Sequence, residues 1–187
     1  TVVEQFPSPG AKVKSNRTIR LTVNAATPEK IPFPNLRQSP LRQALQRLNA
    51  LGFSLGKLKY IPSDFRNLVL GFELEGEPIE PGTLIQKGES IDILLGSGKQ
   101  QVSVGLPQLT GRTLAASRNL LLQAYLNLGE VVFDESVKEE ADKENAVVYL
   151  QRPDPNITSR VLPGSEVSLF LTINPEKKAA LQQLISD

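Results

Sequence analysis

Apolar and polar residues alternate at period two over Thr18-Ile19-Arg20-Leu21-Thr22-Val23 and again over Ser90-Ile91-Asp92-Ile93-Leu94-Leu95. Such alternation predicts strands with one buried face. Each is preceded by a Pro-Gly turn, Pro9-Gly10 or Pro81-Gly82, and by an earlier extended run. Placing Gly10 on Gly82 brings Val13 onto Ile85, Asn16 onto Gly88, Ile19 onto Ile91, Leu21 onto Ile93 and Val23 onto Leu95. A looser third copy runs over residues 146–172 and turns at Pro163-Gly164. A recurring frame of this kind fixes the structural unit before any fold is argued. The unit here is a β-hairpin with a long loop.

In the second and third copies a helical pattern comes first. Leu41, Ala44, Leu45, Leu48 and Leu51 form one apolar stripe at helical spacing. Ser39 offers an N-cap with Pro40 at the first helical position, and Gly52 offers the stop. In the third copy Thr113 is the expected cap, Leu114, Leu121, Leu122, Tyr125 and Leu128 the stripe, and Gly129 the stop. That spacing predicts a helix about one turn longer than its counterpart. Strands are expected over 53–61 and from Val131 to Phe133, and a flexible joint at Gly96-Ser97-Gly98-Lys99. Asn174-Pro175-Glu176, with Ala180, Leu181, Leu184 and Ile185, predicts a short terminal helix.

The resulting division is residues 1–27 as the second half of one unit, 28–99 and 100–174 as complete units, and 175–187 as a helical tail. Each complete unit is an α+β module, one helix packed on a roughly three-stranded sheet. A lone hairpin at 1–24 is marginal in water. It is expected to pack on the second unit, to be a remnant of a larger module, or to pair with another chain by strand exchange.

Composition narrows the chemistry. With no Cys, His or Trp, the 187-residue chain has no disulfide, no thiolate or imidazole metal site and no His-activated nucleophile. A formal net charge of +1 gives no nucleic-acid footprint. No apolar run reaches the roughly 18 residues of a bilayer span. A chain that starts at Thr1, inside a repeat, and contains no Met reads as a piece of a longer protein.

The frame Pro107-x-x-x-Gly111-x-Thr113-Leu114, a helix, then Gln5-x-Pro7-x-Pro9-Gly10-x-x-Val13 and Ile19-x-Leu21-x-Val23, resembles the PASTA repeat. Departures are Gln38 at the opening Gly, Glu77 at the Gln, and Asn156 with extra residues before Pro163-Gly164. The resemblance implies a non-catalytic, extracytoplasmic module array of a bacterial penicillin-binding protein, serine/threonine kinase or stand-alone anchored protein. Its implied partners are peptidoglycan fragments, bound weakly, with no cofactor. A structural spacer or scaffold for envelope proteins, without a small ligand, is the alternative.

Candidate contacts follow. Glu73, Glu75 and Glu77 alternate and are expected on one strand face, near Glu80, to receive an amine or a divalent cation; a solvated face is the plainer alternative. Arg42 and Arg47, with Lys57 and Lys59, are candidates for carboxylates, or simply cover the helix flank. Ser54-Leu55-Gly56-Lys57 matches the S-x-x-K of penicillin-binding enzymes, but lacks the companion K-T-G and reads as a turn with a solvated Lys. Asp134, Glu135, Glu139, Glu140, Asp142 and Glu144 read as an acidic loop without calcium-loop spacing. Asn16-Arg17-Thr18 and Asn156-Ile157-Thr158 match the glycosylation acceptor but fit hairpin turns. Without Trp, sugar stacking is weak and the peptide part of a fragment is expected to carry recognition. The joints at 24–32 and 96–101 are the expected ligand sites.

Overall fold

The computed structural model describes residues 2–14, 16–23, 29–100, 102–174 and 176–177. Of the linker expected over 24–32, residues 24–28 lie outside these residues, as does the helix expected around Ala180 to Ile185, while Lys30–Pro32 form a short strand rather than linker. The architecture is α+β, small sheets of two to four strands with helices packed on the main sheets of the second and third units. Strands β1 (Val2–Phe6) and β2 (Arg20–Val23) form an antiparallel pair.

The second unit contains β3 (Lys30–Pro32), α1 (Leu41–Ala50), β4 (Ser54–Ile61), β5 (Arg66–Leu74), β6 (Glu77–Pro78), β7 (Leu84–Gln86) and β8 (Ser90–Ser97). Its main sheet has the order β4-β8-β5-β6, with β4 parallel and β5 antiparallel to β8. A short β3–β7 pair closes the other end. The third unit contains β9 (Val104–Gly105), α2 (Leu114–Gln123), β10 (Asn127–Phe133), α3 (Glu140–Asn145), β11 (Val147–Arg152), β12 (Arg160–Val161) and β13 (Glu166–Thr172). It repeats the plan: β10 runs parallel and β11 antiparallel to central β13, and β9 pairs with β12.

The inward residues of β8 and β13 explain the cores. Ile91, Ile93 and Leu95, like Val167, Leu169 and Leu171, have no exposed surface. Leu41, Ala44 and Leu48 of α1 press onto the first set, together with Phe33, Phe53 and Phe72. Phe33 and Phe72 meet edge to face with centroids 5.0 Å apart. The fully buried set of the third unit holds no aromatic ring, and Phe133 packs against it half-buried. Gln151 is buried there, its Oε1 accepting from the Leu109 N–H (2.8 Å) and its Nε2 donating to the Pro107 carbonyl (3.1 Å).

Four local expectations are corrected. Pro40, not Ser39, occupies the N-cap of α1, and the Ser39 hydroxyl instead donates to the Leu36 carbonyl at 2.6 Å. The third unit's helix is not longer: both helices have 10 residues, and α2 ends at Gln123 with Tyr125 in the left-handed region (φ 60°). Gly129 lies inside β10, at the register shift between Leu128 and Val131. Its counterpart is Gly56 at the matching shift in β4. Each bulge is closed from the central strand: Asp92 accepts from the Lys57 N–H (2.7 Å), and the Ser168 hydroxyl from the Glu130 N–H (3.3 Å). Gly96 and Ser97, expected in a flexible joint, are the last residues of β8, and a Cβ on Gly96 would collide with the Phe65 carbonyl.

The opening frame repeats even where its sequence does not. Gln38 is left-handed (φ 62°) and donates its N–H to the Val69 carbonyl, as Gly111 (φ 78°) does to Val148. Thr113 caps α2, accepting from the Ala116 N–H at 3.4 Å. In the first hairpin Val13, Ile19 and Leu21 are 44%, 50% and 52% exposed, whereas the matching Ile85, Ile91 and Ile93 are buried. Among the described residues this hairpin has neither the helix nor the parallel strand that cover those positions in the other units.

Candidate functional site

Units two and three meet along the outer edge of β4. A strand edge presents unpaired backbone groups that need partners. Asn127, the first residue of β10, supplies them. Its Oδ1 accepts from the Leu58 N–H (2.9 Å), and its Nδ2 donates to the Leu58 carbonyl (3.0 Å) and the Gly164 carbonyl (2.8 Å). Asn127 is thereby buried with every polar atom engaged. Gly164 approaches the same strand so closely that a Cβ would lie 3.0 Å from the Leu58 oxygen and 3.0 Å from the Tyr60 ring. Leu122 and Tyr125 pack onto the core of unit two. Burial raises the Tyr60 phenol well above its usual pKa, and its hydroxyl donates to Asn67 at 3.0 Å. On the rim, Lys57 pairs with Glu166 across the junction at 2.7 Å.

Beside this contact lies a cleft of about 1050 Å³ between α1, β4 and β8 of one unit and α2 and β10 of the next. Leu45, Leu55 and Leu122 supply apolar wall, and Gln46, Asn49 and Asn119 supply side-chain amides. Lys57, Asp92 and Arg118 are its charged residues. Burial works against the Asp92 anion, but the Lys57 N–H and the Lys59 ammonium outweigh it and hold the carboxyl below its usual range. Lys59 bridges Glu73 (2.6 Å) and Asp92 (2.9 Å), and both raise its pKa.

The residues expected to bind are not brought together. Glu73 ends up in the Lys59 bridge near the end of β5. Glu75 is in a two-residue turn with Gly76 (φ 53° and 90°), and Glu77 begins β6. The three carboxylates therefore do not share one strand face, because the chain reverses between the first and the last. Glu80 pairs with Arg37 at 2.7 Å. Arg42 and Arg47 stand on the exposed face of α1, and neither lines the cleft.

The Ser54-to-Lys57 stretch forms the start of β4 rather than a turn, and its Lys is committed to Glu166. The acidic segment is partly helical. Asp142 and Glu139 form a capping box on α3, Glu140 pairs with Lys143 (2.6 Å), and Asp134 pairs with Lys177 (2.6 Å). Asn16 does adopt the left-handed conformation (φ 66°) that suits a turn. With neither His nor Cys in the sequence, a His-activated nucleophile or a thiolate is not among its possible groups.

No family profile and no curated protein matches the chain. Solved structures do. One is the entire extra-cellular region of the Ser/Thr kinase PrkC from Staphylococcus aureus, at 17% identity over 91% of this chain and 56% of that one, with a TM-score of 0.37. Another is the three-PASTA-domain of a Ser/Thr kinase from Staphylococcus aureus, at 18% identity over 92% of this chain and 80% of that one, with a TM-score of 0.39. A third is Penicillin Binding Protein 2X from Streptococcus thermophilus, at 11% identity over 76% of this chain and 17% of that one, with a TM-score of 0.27. The chain thus spans 56% of the first structure's length. With scores this low, the function proposed below rests on the chain's own repeats and junction.

Sequence reasoning missed the residues that make the cleft. Asn127, Arg118 and Asn119 belong to no motif in the sequence that marks them as functional. The signal for Asn127 was position: it follows the left-handed Tyr125 by two, as Ser54 follows Gly52.

Proposed function

We propose that the chain is a non-catalytic array of PASTA-like modules from the extracytoplasmic side of a bacterial envelope, belonging to an anchored parent protein and binding peptidoglycan fragments weakly. One observation carries this reading. Two copies of one sequence frame fold to the same strand order and, where they join, enclose an open cleft with apolar walls, amides and charges. Ligand sites favour such boundaries between units. The cleft is built from helices and strands of the two units rather than from the expected joints at 24–32 and 96–101.

The test is two-dimensional NMR of the chain titrated with soluble muropeptides, one carrying diaminopimelate and one carrying lysine. Shifts clustered on Gln46, Asn49, Leu55 and Asn119 are the expected result. A flat response to both at millimolar ligand, with the fold intact, removes the binding reading. The spacer reading has its own support in the closed junction at Asn127, and it predicts that flat response.

A further inference from the structure

The cleft's chemistry narrows what part of a fragment it takes. Two of its three charged residues are already committed: Lys57 to Glu166 at 2.7 Å, and Asp92 to Lys59 at 2.9 Å and to the Lys57 N–H. Arg118 is exposed on α2 and has no ion-pair partner among the described residues. A guanidinium presents planar paired donors that match a carboxylate, and it stays charged at any physiological pH. In the same lining, Gln46 and Asn49 of α1 and Asn119, next to Arg118 on α2, each offer both a donor and an acceptor, the complement of a peptide group. Leu55 and Leu122 are apolar surface for a small aliphatic side chain. The one aromatic residue in the lining, Phe53, is buried and so presents little face for a sugar ring.

We propose that this cleft recognises the free carboxylate end of a short peptide, with Arg118 as the carboxylate anchor and the flanking amides holding the peptide backbone. The proposal rests on the peptidoglycan-fragment reading and names the portion of the fragment that is held.

The probe is a lysine-containing disaccharide–tetrapeptide muropeptide whose only carboxylate is the C-terminal one, compared with the same molecule amidated at that end. Both are titrated into the whole chain and into Arg118→Gln, with chemical shifts as the readout. Arg118 is exposed, so its replacement should leave the spectrum outside the cleft superimposable. The acid is expected to bind the unaltered chain roughly tenfold more tightly than the amide. In Arg118→Gln that preference should vanish, and Arg118→Lys should keep part of it. Equal binding of acid and amide by the unaltered chain, or an undiminished preference in Arg118→Gln, overturns the carboxylate anchor and leaves fragment binding standing. Absence of binding by both probes overturns the anchor and the fragment-binding reading together.

Discussion

Asn127→Ala removes the side chain that completes the outer edge of β4. It strands the Leu58 N–H and the carbonyls of Leu58 and Gly164, which Asn127 now engages at 2.9, 3.0 and 2.8 Å. Leu58 is 2% exposed, so its N–H has little recourse to water. A buried donor left without a partner costs about 1–3 kcal/mol, and the two carbonyls, taken at the low end of that range, add about 1 kcal/mol each. The sum is about 3–5 kcal/mol, which for a chain of this size lowers the thermal midpoint by roughly 6–20 °C. Calorimetry together with hydrogen exchange reads both consequences. Protection should fall at the Leu58 amide while Ile91 and Ile93 in β8 keep theirs, and melting should become less cooperative as the units uncouple. Asn127→Asp is a sharper probe. It keeps the acceptor for the Leu58 N–H but turns a repulsive oxygen toward two carbonyls, so the loss should be larger at neutral pH and ease as the carboxylate protonates. A midpoint within about 2 °C of the parent in Asn127→Ala, or unchanged protection at Leu58, would refute the claim that this residue joins the units.

Other outcomes follow from single positions. Gly129→Ala puts a Cβ 2.9 Å from the Ser168 hydroxyl and 3.3 Å from its backbone nitrogen, and should cost about 1–3 kcal/mol in urea unfolding. Gly105→Ala meets open space and should stay within about 0.5 kcal/mol. Gln38→Gly relieves a left-handed non-glycine residue and should be neutral or stabilising by up to about 1 kcal/mol, whereas Gly111→Gln should lose about 1 kcal/mol, both read as shifts in the urea midpoint. Burial opposes the Asp134 anion, yet hydrogen bonds from Lys177, Ser136 and Thr172 hold that carboxyl well below the usual range. Its contribution is complete above the unfolded value of about 4 and is lost as pH falls from there through the folded value. Urea midpoints measured down that acid window should therefore fall less steeply in Asp134→Asn, and parallel curves would argue against the pairing.

The repeats, the α1 stripe and the α+β class were legible because burial imposes period two on β8 and period 3.6 on α1. Local glycine chemistry was less so. Gly129 has the look of a helix stop, but the left-handed turn falls on Tyr125, whose carbonyl accepts from the Gly164 N–H at 2.8 Å. The glycine was needed instead where β10 bulges against Ser168. Alternation misled at Glu73 to Glu77 because period two holds only while the strand continues, and Glu75-Gly76 reverses it. The cleft was out of reach for a different reason. Its residues come from five elements of two units, and no local pattern records which strand edge a neighbouring unit will meet.

The differences between the units also say where function sits. From helix to bulge the third unit repeats the second with constant spacing: Leu41 and Leu114, Gly52 and Tyr125, Ser54 and Asn127, Gly56 and Gly129. These elements build the junction. The departures fall elsewhere, in the α3 segment after β10 and in the turn between β11 and β12. Yet equivalent positions do different work at the junction. Asn127 closes the edge of a neighbouring strand, whereas Ser54 lines the cleft wall. Leu45 lines it from α1, and Arg118, its counterpart on α2, brings a charge to the same space. The contact is therefore heterologous, one face of a unit against a different face of the next, and such contacts propagate along an array rather than closing on themselves. If the proposed carboxylate anchor holds, a substitution that leaves the repeat frame intact can change the ligand preference of one junction alone, and Arg118 is then a position of specificity rather than of fold.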